Sequence, residues 1–301
     1  MKEELIYWIL SKGLAKCSTF SNKLLRKWSN LFGNLWFHLD ARHRQIAISN
    51  ISMILKGSLS STEAVELARR NFLHLARVFL EIPGLCTITP QNLENFCICS
   101  GIGEIEKALS KGYGVIFLTG HLGNWEWAAM LASYLLPKPL NIIARPLDFK
   151  PLERWLNTVR TRNGNKVFPR KFSASHVLKC LRENKIVAIL QDQRSSRHEG
   201  VVVPFMGKPA VTHRAVAILA LRSNAAVIPG FSHRLVDGRF SLEAFPALPL
   251  IRTGNFKADI LANTQMYNTV LERQVRRFPE QWYWIHRRWL LNRTKNRWNV
   301  V

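Results

Sequence analysis

A histidine and a glutamate stand five positions apart in FLTGHLGNWEWAAM, residues 117–130, between an apolar run and a segment with helical apolar spacing. On one continuous helix His121 and Glu126 would lie about 140° apart around the axis and could not face each other. They can meet only if the chain turns between them. The run GVIFL (114–118) reads as a strand and Asn124 as the N-cap of the helix that follows, so His121 falls in the turn and Glu126 in the first helical turn. Gly120 and Gly123 give the backbone room for that turn. From there the Glu126 carboxylate can reach back to one imidazole nitrogen and fix the tautomer, which leaves the other nitrogen free to take a proton from a hydroxyl. The chemistry predicted is general-base catalysis beyond the carboxyl end of a strand, with backbone N–H groups at the helix start available to an oxyanion. The same spacing also fits a buried pair that only caps the helix, and the local sequence does not separate the two.

Other polar residues sit where a site of this kind would use them. Arg145 ends the strand NIIA (141–144) and precedes Pro146, so its guanidinium is held in place and suits a phosphate or a phosphopantetheine; a surface salt bridge is the plainer reading. Arg160 and Arg162 lie two apart on one predicted helix and therefore on different faces. Asp192 follows the apolar run IVAIL, where an acid is costly unless paired; it reads as a site residue or as the cap of a loop. His286, with Arg287 and Arg288 beside it, reads as a phosphate contact or as part of a solvated or membrane-facing basic surface.

The elements that must position these residues alternate along the chain. Short β-rich runs occur at 96–100, 114–118, 141–144, 186–190, 225–231 and 239–245. Helix-like segments separate most of them: IEKALSK, WEWAAMLASYLL, PLERWLNTVRTR, ASHVLKCLREN and THRAVAILALRS. The alternation predicts an α/β fold with a mainly parallel central sheet flanked by helices. A long helix is predicted over about 257–277, and another begins at the capping pair Ser60 and Glu63. Residues 22–44 form an amphipathic basic stretch, with Leu24, Leu25, Trp28, Leu31, Phe32 and Leu35 opposite Lys23, Arg26 and Lys27. The predicted organisation is N-terminal membrane-associating helices over 1–45 and a single α/β domain over 46–301.

Lys and Arg number 43 against 20 acids in 301 residues, a formal charge of +23, so the surface calls for an anionic partner. Composition alone does not choose among nucleic acid, anionic lipid, phosphorylated lipid and acidic protein. Seven of the ten tryptophans lie near the termini (Trp8, Trp28, Trp36, Trp282, Trp284, Trp289, Trp298), a placement that favours a bilayer interface. The apolar stretch Leu5 to Leu10 is too short for a spanning helix. Five scattered cysteines without a C-x-x-C pair suit reduced thiols. There is no phosphate-binding loop, no G-x-S-x-G and no H-E-x-x-H, and Gly101 and Gly103 lack the third glycine of a dinucleotide fingerprint, Glu106 standing there instead. Neither a metal nor a bound cofactor is predicted.

The run TGHLGNWEWAA resembles the H-x-x-x-x-[DE] block of the bacterial lipid A late acyltransferases, which have phosphatidylinositol mannoside acyltransferases as relatives. Further stretches fit in order: IIARPLDFKPLERWLNTVRTRNGNKVFPR, VAILQDQR with Asp192 and Gln193, VPFMGKPAVTHRAVAILAL and PEQWYWIHRRW. The likeness runs from about residue 30 to 290. It implies a glycerol-phosphate-acyltransferase-like fold and transfer of a fatty acyl group from an acyl carrier protein thioester, less often from coenzyme A, to a hydroxyl of a membrane glycolipid. In the lipid A branch that hydroxyl belongs to a 3-hydroxyacyl chain on a phosphorylated disaccharide. By the same resemblance His121 is the base and Glu126 its orienter, Arg160 and Asp192 are further active-site residues, and Arg145, Gly123 and Asn124 are candidates for substrate contact. The implied partners are acyl carrier protein or acyl-CoA, a phosphorylated glycolipid acceptor and an anionic membrane surface, at the cytoplasmic face of a bacterial inner membrane, held peripherally or by a single N-terminal anchor. A non-catalytic polyanion-binding protein is the competing class; no recognisable nucleic-acid motif supports it.

Overall fold

The structure, a computed structural model, describes residues 2–169, 173–289, 292–294 and 297–299. Four helices precede the first strand: α1 (Lys2–Cys17), α2 (Asn22–Leu39), α3 (Ala41–Ile54) and α4 (Ser61–Glu81). Asp40 divides the stretch predicted as one helix over 22–44. Its backbone N–H donates to the Trp36 carbonyl at the end of α2, while its carboxylate accepts from the His43 N–H at the start of α3. One residue thus serves as C-cap and N-cap. The capping box of Ser60 and Glu63 starts α4 as the sequence predicts.

Helix α2 crosses α4 at Gly33, where a Cβ would stand 2.6 Å from Leu73 Cα, so the two backbones meet at a distance only glycine permits. Phe37 and Phe72 pack edge to face beside this crossing, with ring centroids 5.4 Å apart. Phe37, Ala47, Ile51 and Phe72 share one buried cluster with Leu122, Trp282 and Trp284. Residue 45, the expected boundary, lies inside α3, and the N-terminal helices bury apolar residues in a core they share with the rest of the chain.

The remaining elements are β1 (Cys97–Ser100), α5 (Ile102–Leu109), β2 (Val115–Thr119), α6 (Trp125–Leu135), β3 (Leu140–Ala144), α7 (Lys150–Arg160), β4 (Lys166–Pro169), α8 (Ser173–Arg182), β5 (Ile186–Leu190), β6 (Gly200–Phe205), β7 (Lys208–His213), α9 (Ala215–Ser223), β8 (Ala226–Arg234), β9 (Phe240–Ala244), α10 (Phe256–Arg277), β10 (Asn292–Thr294) and β11 (Arg297–Asn299). Seven strands form the central sheet in the order β1-β9-β8-β2-β5-β3-β4. Every pair in it is parallel except β8 with β9, which are antiparallel. The predicted mainly parallel sheet flanked by helices is present. Its central strands are near-continuous apolar runs because both faces are covered. Val115, Phe117, Ala188 and Ile228 face the core under α5, α6 and α7, while Ile116, Leu118, Val187 and Val227 face the core under α8 and α9.

Two features escaped the sequence reading. Strand β4 is a short edge strand, and β6 and β7 form an antiparallel hairpin closed through Met206 and Gly207, both at positive φ. The chain after α10 also departs from expectation. Residues 282–289 are irregular and turn inward: Trp282, Trp284 and Trp289 are buried, and Arg288 is 0% exposed. Arg288 donates to the Val211 carbonyl and the Thr212 hydroxyl and lies 4.7 Å from the Phe205 ring. The reading of this segment as a basic outer surface is corrected, and with it the membrane placement of these three tryptophans; the side chain of Trp298 lies outside the described residues.

Candidate active site

The parallel register of β2 and β5 builds the first part of the site. Thr119 pairs with Leu190, so two residues beyond the ends of these neighbouring strands His121 and Asp192 come side by side. The Asp192 Oδ1 accepts from His121 Nδ1 at 2.8 Å, and Oδ2 accepts from the His121 backbone N–H at 2.8 Å and from the Trp282 indole N–H at 2.8 Å. Asp192 is 1% exposed. Burial alone would raise its pKa, but the charge and hydrogen bonds of His121 and the Trp282 indole outweigh it and hold the carboxyl at about 2. Asp192 is therefore an ionised anchor that fixes the imidazole with Nδ1 as donor. In the neutral ring Nε2 then keeps a lone pair, and the amide of Gln193 stands 3.4 Å from it. Trp125 and Tyr283 flank the ring, with centroids 5.0 and 5.7 Å away.

Helix α6 supplies the second part. Asn124 caps it, accepting from the Trp127 N–H at 3.2 Å, as predicted, and Glu126 follows in the first turn. The Glu126 carboxylate, however, faces Arg160 at the end of α7. It accepts from Arg160 Nε at 2.9 Å and from Nη2 at 2.5 Å, a two-pronged pair with both side chains largely buried. Burial works against the charge of Arg160, but the Glu126 carboxylate prevails and raises the guanidinium pKa. The expectation that Glu126 orients His121 is corrected: the guanidinium offers two matched donors on the α7 side, while the imidazole already has a carboxylate in register from β5. Arg160 Nη1 is buried, without a hydrogen-bond partner among the described residues.

The turn between the two parts is braced from behind. The His74 Nε2 donates to the Gly123 carbonyl at 3.1 Å, and the Gly123 N–H donates to the Gln281 carbonyl at 3.0 Å. Glu81, buried on α4, accepts from Arg77 at 2.8 Å, from Asn124 at 3.0 Å and from Arg234. Gly123 has φ +61°, and a Cβ there would lie 2.4 Å from the Ser232 carbonyl oxygen. Gly123 and Asn124 thus serve the turn itself. The expected substrate contact by Asn124 is corrected, because its side chain is fully buried and its amide nitrogen is committed to Glu81 and the Val78 carbonyl. Arg145 stands at the rim with its side chain 79% exposed and a long 3.4 Å contact to Asp148, free to swing toward an anion.

A cavity of about 600 Å³ opens over the carboxyl ends of β2 and β5 and is lined by His121, Glu126, Arg145, Arg160, Gln191, Gln193 and Ser232. Its deeper walls are apolar, including Ile105, Phe117, Ala128, Ala132, Leu135 and Ile142. Small residues on α6 leave the space. Gly230 does the same for the Phe117 ring, since a Cβ there would overlap it at 1.8 Å. Among the described residues no group of three or more His, Cys, Asp or Glu side chains is arranged to hold a metal ion. The sequence reading missed Trp282, Glu81 and His74, each from a distant element, and Gln191, the residue before Asp192, as parts of the site; Trp282 and Gln191 lay within quoted stretches.

The family described as Bacterial lipid A biosynthesis acyltransferase matches residues 1–291. A phosphatidylinositol mannoside acyltransferase of Mycobacterium tuberculosis (strain CDC 1551 / Oshkosh) is 25% identical over 207 residues, 66% of this chain and 62% of that protein. A lipid A biosynthesis acyltransferase of Haemophilus influenzae is 26% identical over 219 residues, 71% of this chain and 65% of that protein. The lipid A biosynthesis lauroyltransferase of Escherichia coli K12 is 24% identical over 262 residues, 85% of this chain and 82% of that protein. The matched stretch thus spans less than two thirds of the length of the mycobacterial and Haemophilus relatives.

Proposed function

Because the chain belongs to the bacterial lipid A biosynthesis acyltransferase family, we propose that it moves a fatty acyl group from a thioester to a hydroxyl of a glycolipid, with His121 as general base. The observation that carries this reading is the imidazole itself, tied at Nδ1 to a buried, ionised Asp192 and placed on the wall of a largely apolar cavity of about 600 Å³. The acceptor oxygen attacks the thioester carbon as Nε2 takes its proton. The carbon–sulfur bond then breaks, and the proton passes from Nε2 to the departing sulfur, giving an ester and a free thiol. Arg160, held by Glu126, lines the same cavity, which suits its guanidinium to the oxyanion or to an acceptor phosphate.

The donor is an acyl carrier protein or coenzyme A thioester, and the rim guanidinium of Arg145 suits the phosphate of either arm. The acceptor is a lipid A precursor or a glycolipid such as a phosphatidylinositol mannoside, the two acceptor classes named for the relatives. Peripheral attachment to an anionic bilayer is supported by α2, which exposes Trp28, Leu31, Phe32, Leu35 and Leu39 beside Lys23, Arg26 and Lys27. No described helix is long and apolar enough to cross a membrane.

The test is transfer of labelled acyl groups from an acyl carrier protein thioester to glycolipid in anionic vesicles. His121→Ala is expected to lower turnover by roughly 10³-fold while vesicle flotation is unchanged. Unaltered turnover in that variant rejects the assignment.

A further inference from the structure

After α10 the chain makes one short 3₁₀ turn (Pro279–Gln281) and then runs to Trp289 without regular structure, so its backbone carbonyls need partners on other elements. Two asparagines meet that need. The Asn71 amide on α4 donates to the Glu280 carbonyl at 2.9 Å and to the Trp282 carbonyl at 2.5 Å. The Asn50 amide on α3 donates to the Trp284 and His286 carbonyls, both at 2.9 Å. Each asparagine thus bridges two carbonyls two residues apart, and the second bridge repeats the first four residues further on. Only an amide nitrogen can donate to a carbonyl, so the orientation of both side chains is forced.

Helix α4 itself has no need of an amide at this point. Asn71 is 0% exposed in the middle of the helix, where leucine would serve both helix and core better. Its Oδ1 is buried without a hydrogen-bond partner among the described residues, so what the side chain supplies there is its two donors. The two clamps also hold different things. Between the carbonyls gripped by Asn71, the Gln281 carbonyl accepts from the Gly123 N–H in the turn that carries His121. The Trp282 indole N–H stands 2.8 Å from Asp192 Oδ2. The Asn50 clamp instead holds Trp284, whose indole N–H donates to the Pro279 carbonyl.

Resting on the acyl-transfer reading above, we propose that Asn71 is a positioning residue for the reaction: by gripping the backbone at Trp282 it aims the indole at Asp192, and so steadies the carboxylate that orients His121. The line of action has three links, Asn71 to Trp282, Trp282 to Asp192 and Asp192 to His121. An indole donor supports a carboxylate only within a narrow range of distance and angle, and an irregular segment has no ladder of its own to hold that register. Asn71 and the bridge between Leu122 and Trp282 supply it. Asn50, one clamp further along, holds the segment to the body of the protein without aiming a side chain at Asp192.

A double-mutant cycle tests this, with transfer from an acyl carrier protein thioester to glycolipid in anionic vesicles as the assay and thermal melting as the measure of stability. Asn71→Leu, similar in volume but without donors, is expected to lower kcat about tenfold, the loss expected for Trp282→Phe, and to leave the KM of donor and acceptor unmoved. The double variant is expected to lose about tenfold as well, where two independent sites would lose about 100-fold. Asn50→Leu breaks the neighbouring clamp and is expected to lower the melting temperature as Asn71→Leu does, with kcat within about twofold of wild type. Asn71→Ser is smaller and keeps one donor, so it carries the same cycle if the leucine variant does not fold. The proton between His121 Nδ1 and Asp192, read by its downfield nuclear magnetic resonance, is expected to shift in Asn71→Leu as in Trp282→Phe and to hold still in Asn50→Leu. Additive losses in the double variant overturn the proposal, as does an unshifted resonance in Asn71→Leu or a kcat loss in Asn50→Leu equal to that in Asn71→Leu. A folded wild type that transfers no acyl group overturns the acyl-transfer reading, and the resonance then decides by itself whether Asn71 aims the pair.

Discussion

Two carboxylates brace nitrogen bases of different kinds on the cavity wall, His121 and Arg160. Asp192 grips a titratable imidazole with one oxygen and two N–H donors with the other, whereas Glu126 is forked onto a permanently charged guanidinium. The first pair has a nitrogen left over with a lone pair, and the second has a donor left over. In the proposed reaction one side of the site accepts a proton and the other receives negative charge. Which job a carboxylate does here follows from the element that presents its partner, not from its distance along the chain to the histidine.

The sharpest way to break this contrast is Asp192→Asn, which keeps the shape but allows the imidazole to adopt the wrong tautomer. Turnover is expected to fall roughly 10³-fold with little change in acceptor KM, measured by steady-state transfer kinetics. Glu126→Gln is expected to cost less in chemistry and more in structure: about 2 kcal/mol of stability by urea titration, because a buried guanidinium loses its counter-charge but keeps a hydrogen-bond acceptor. If Glu126→Gln reduces turnover as much as Asp192→Asn at unchanged stability, the two carboxylates are not divided in this way. Trp282→Phe removes one of three donors to Asp192, and turnover is expected to drop about tenfold, in line with a charge-assisted bond of about 1.5 kcal/mol.

The smallest effect concerns the brace behind both pairs. Burial, reinforced by the charge of Arg234, lowers the pKa of His74 from its ordinary 6.5 to about 3 while its ring donates to the Gly123 carbonyl. The unfolded chain then binds the extra proton first as pH falls, so this contribution is full above about 6.5 and is lost between there and about 3. His286, lowered to about 4 mainly by burial, acts in the same direction. The melting temperature is expected to fall by several degrees between about pH 7 and pH 4, and less steeply in His74→Gln, which keeps a donor but cannot take up the proton. An equal slope in the two proteins would remove His74 from this role.

How much of this could be read from the chain follows the same division between local and distant. The turn at His121, the cap at Asn124 and the apolar strands announce themselves within a few residues, because each is decided by neighbours in sequence. The partners of His121 and Glu126 do not, since Asp192 is 71 residues from the histidine and Arg160 is 34 from the glutamate. One distant clue was available: His121 and Asp192 each stand just beyond an apolar run, GVIFL and IVAIL, and adjacent parallel strands bring such residues together. The tryptophans show the limit of composition. Trp8 is 59% exposed, whereas Trp282, Trp284 and Trp289 bury their rings and donate to Asp192 and to the Pro279 and Phe205 carbonyls. Both termini are basic and rich in indole, but only the first spaces its apolar residues to form a stripe on a regular helix.

The crossing at Gly33 ties the outer face of the molecule to its chemistry. Helix α2 meets α4 main chain to main chain, and one residue after Leu73 the same helix reaches out through His74 to the loop that carries His121. The apolar ridge and the imidazole are thus clamped in one frame, like the two jaws of a caliper locked at a set opening. On the proposed reading, replacing greasy residues along the ridge would change how firmly it grips a surface without altering the height at which proton transfer takes place, whereas adding a single methyl group at position 33 would reset that height.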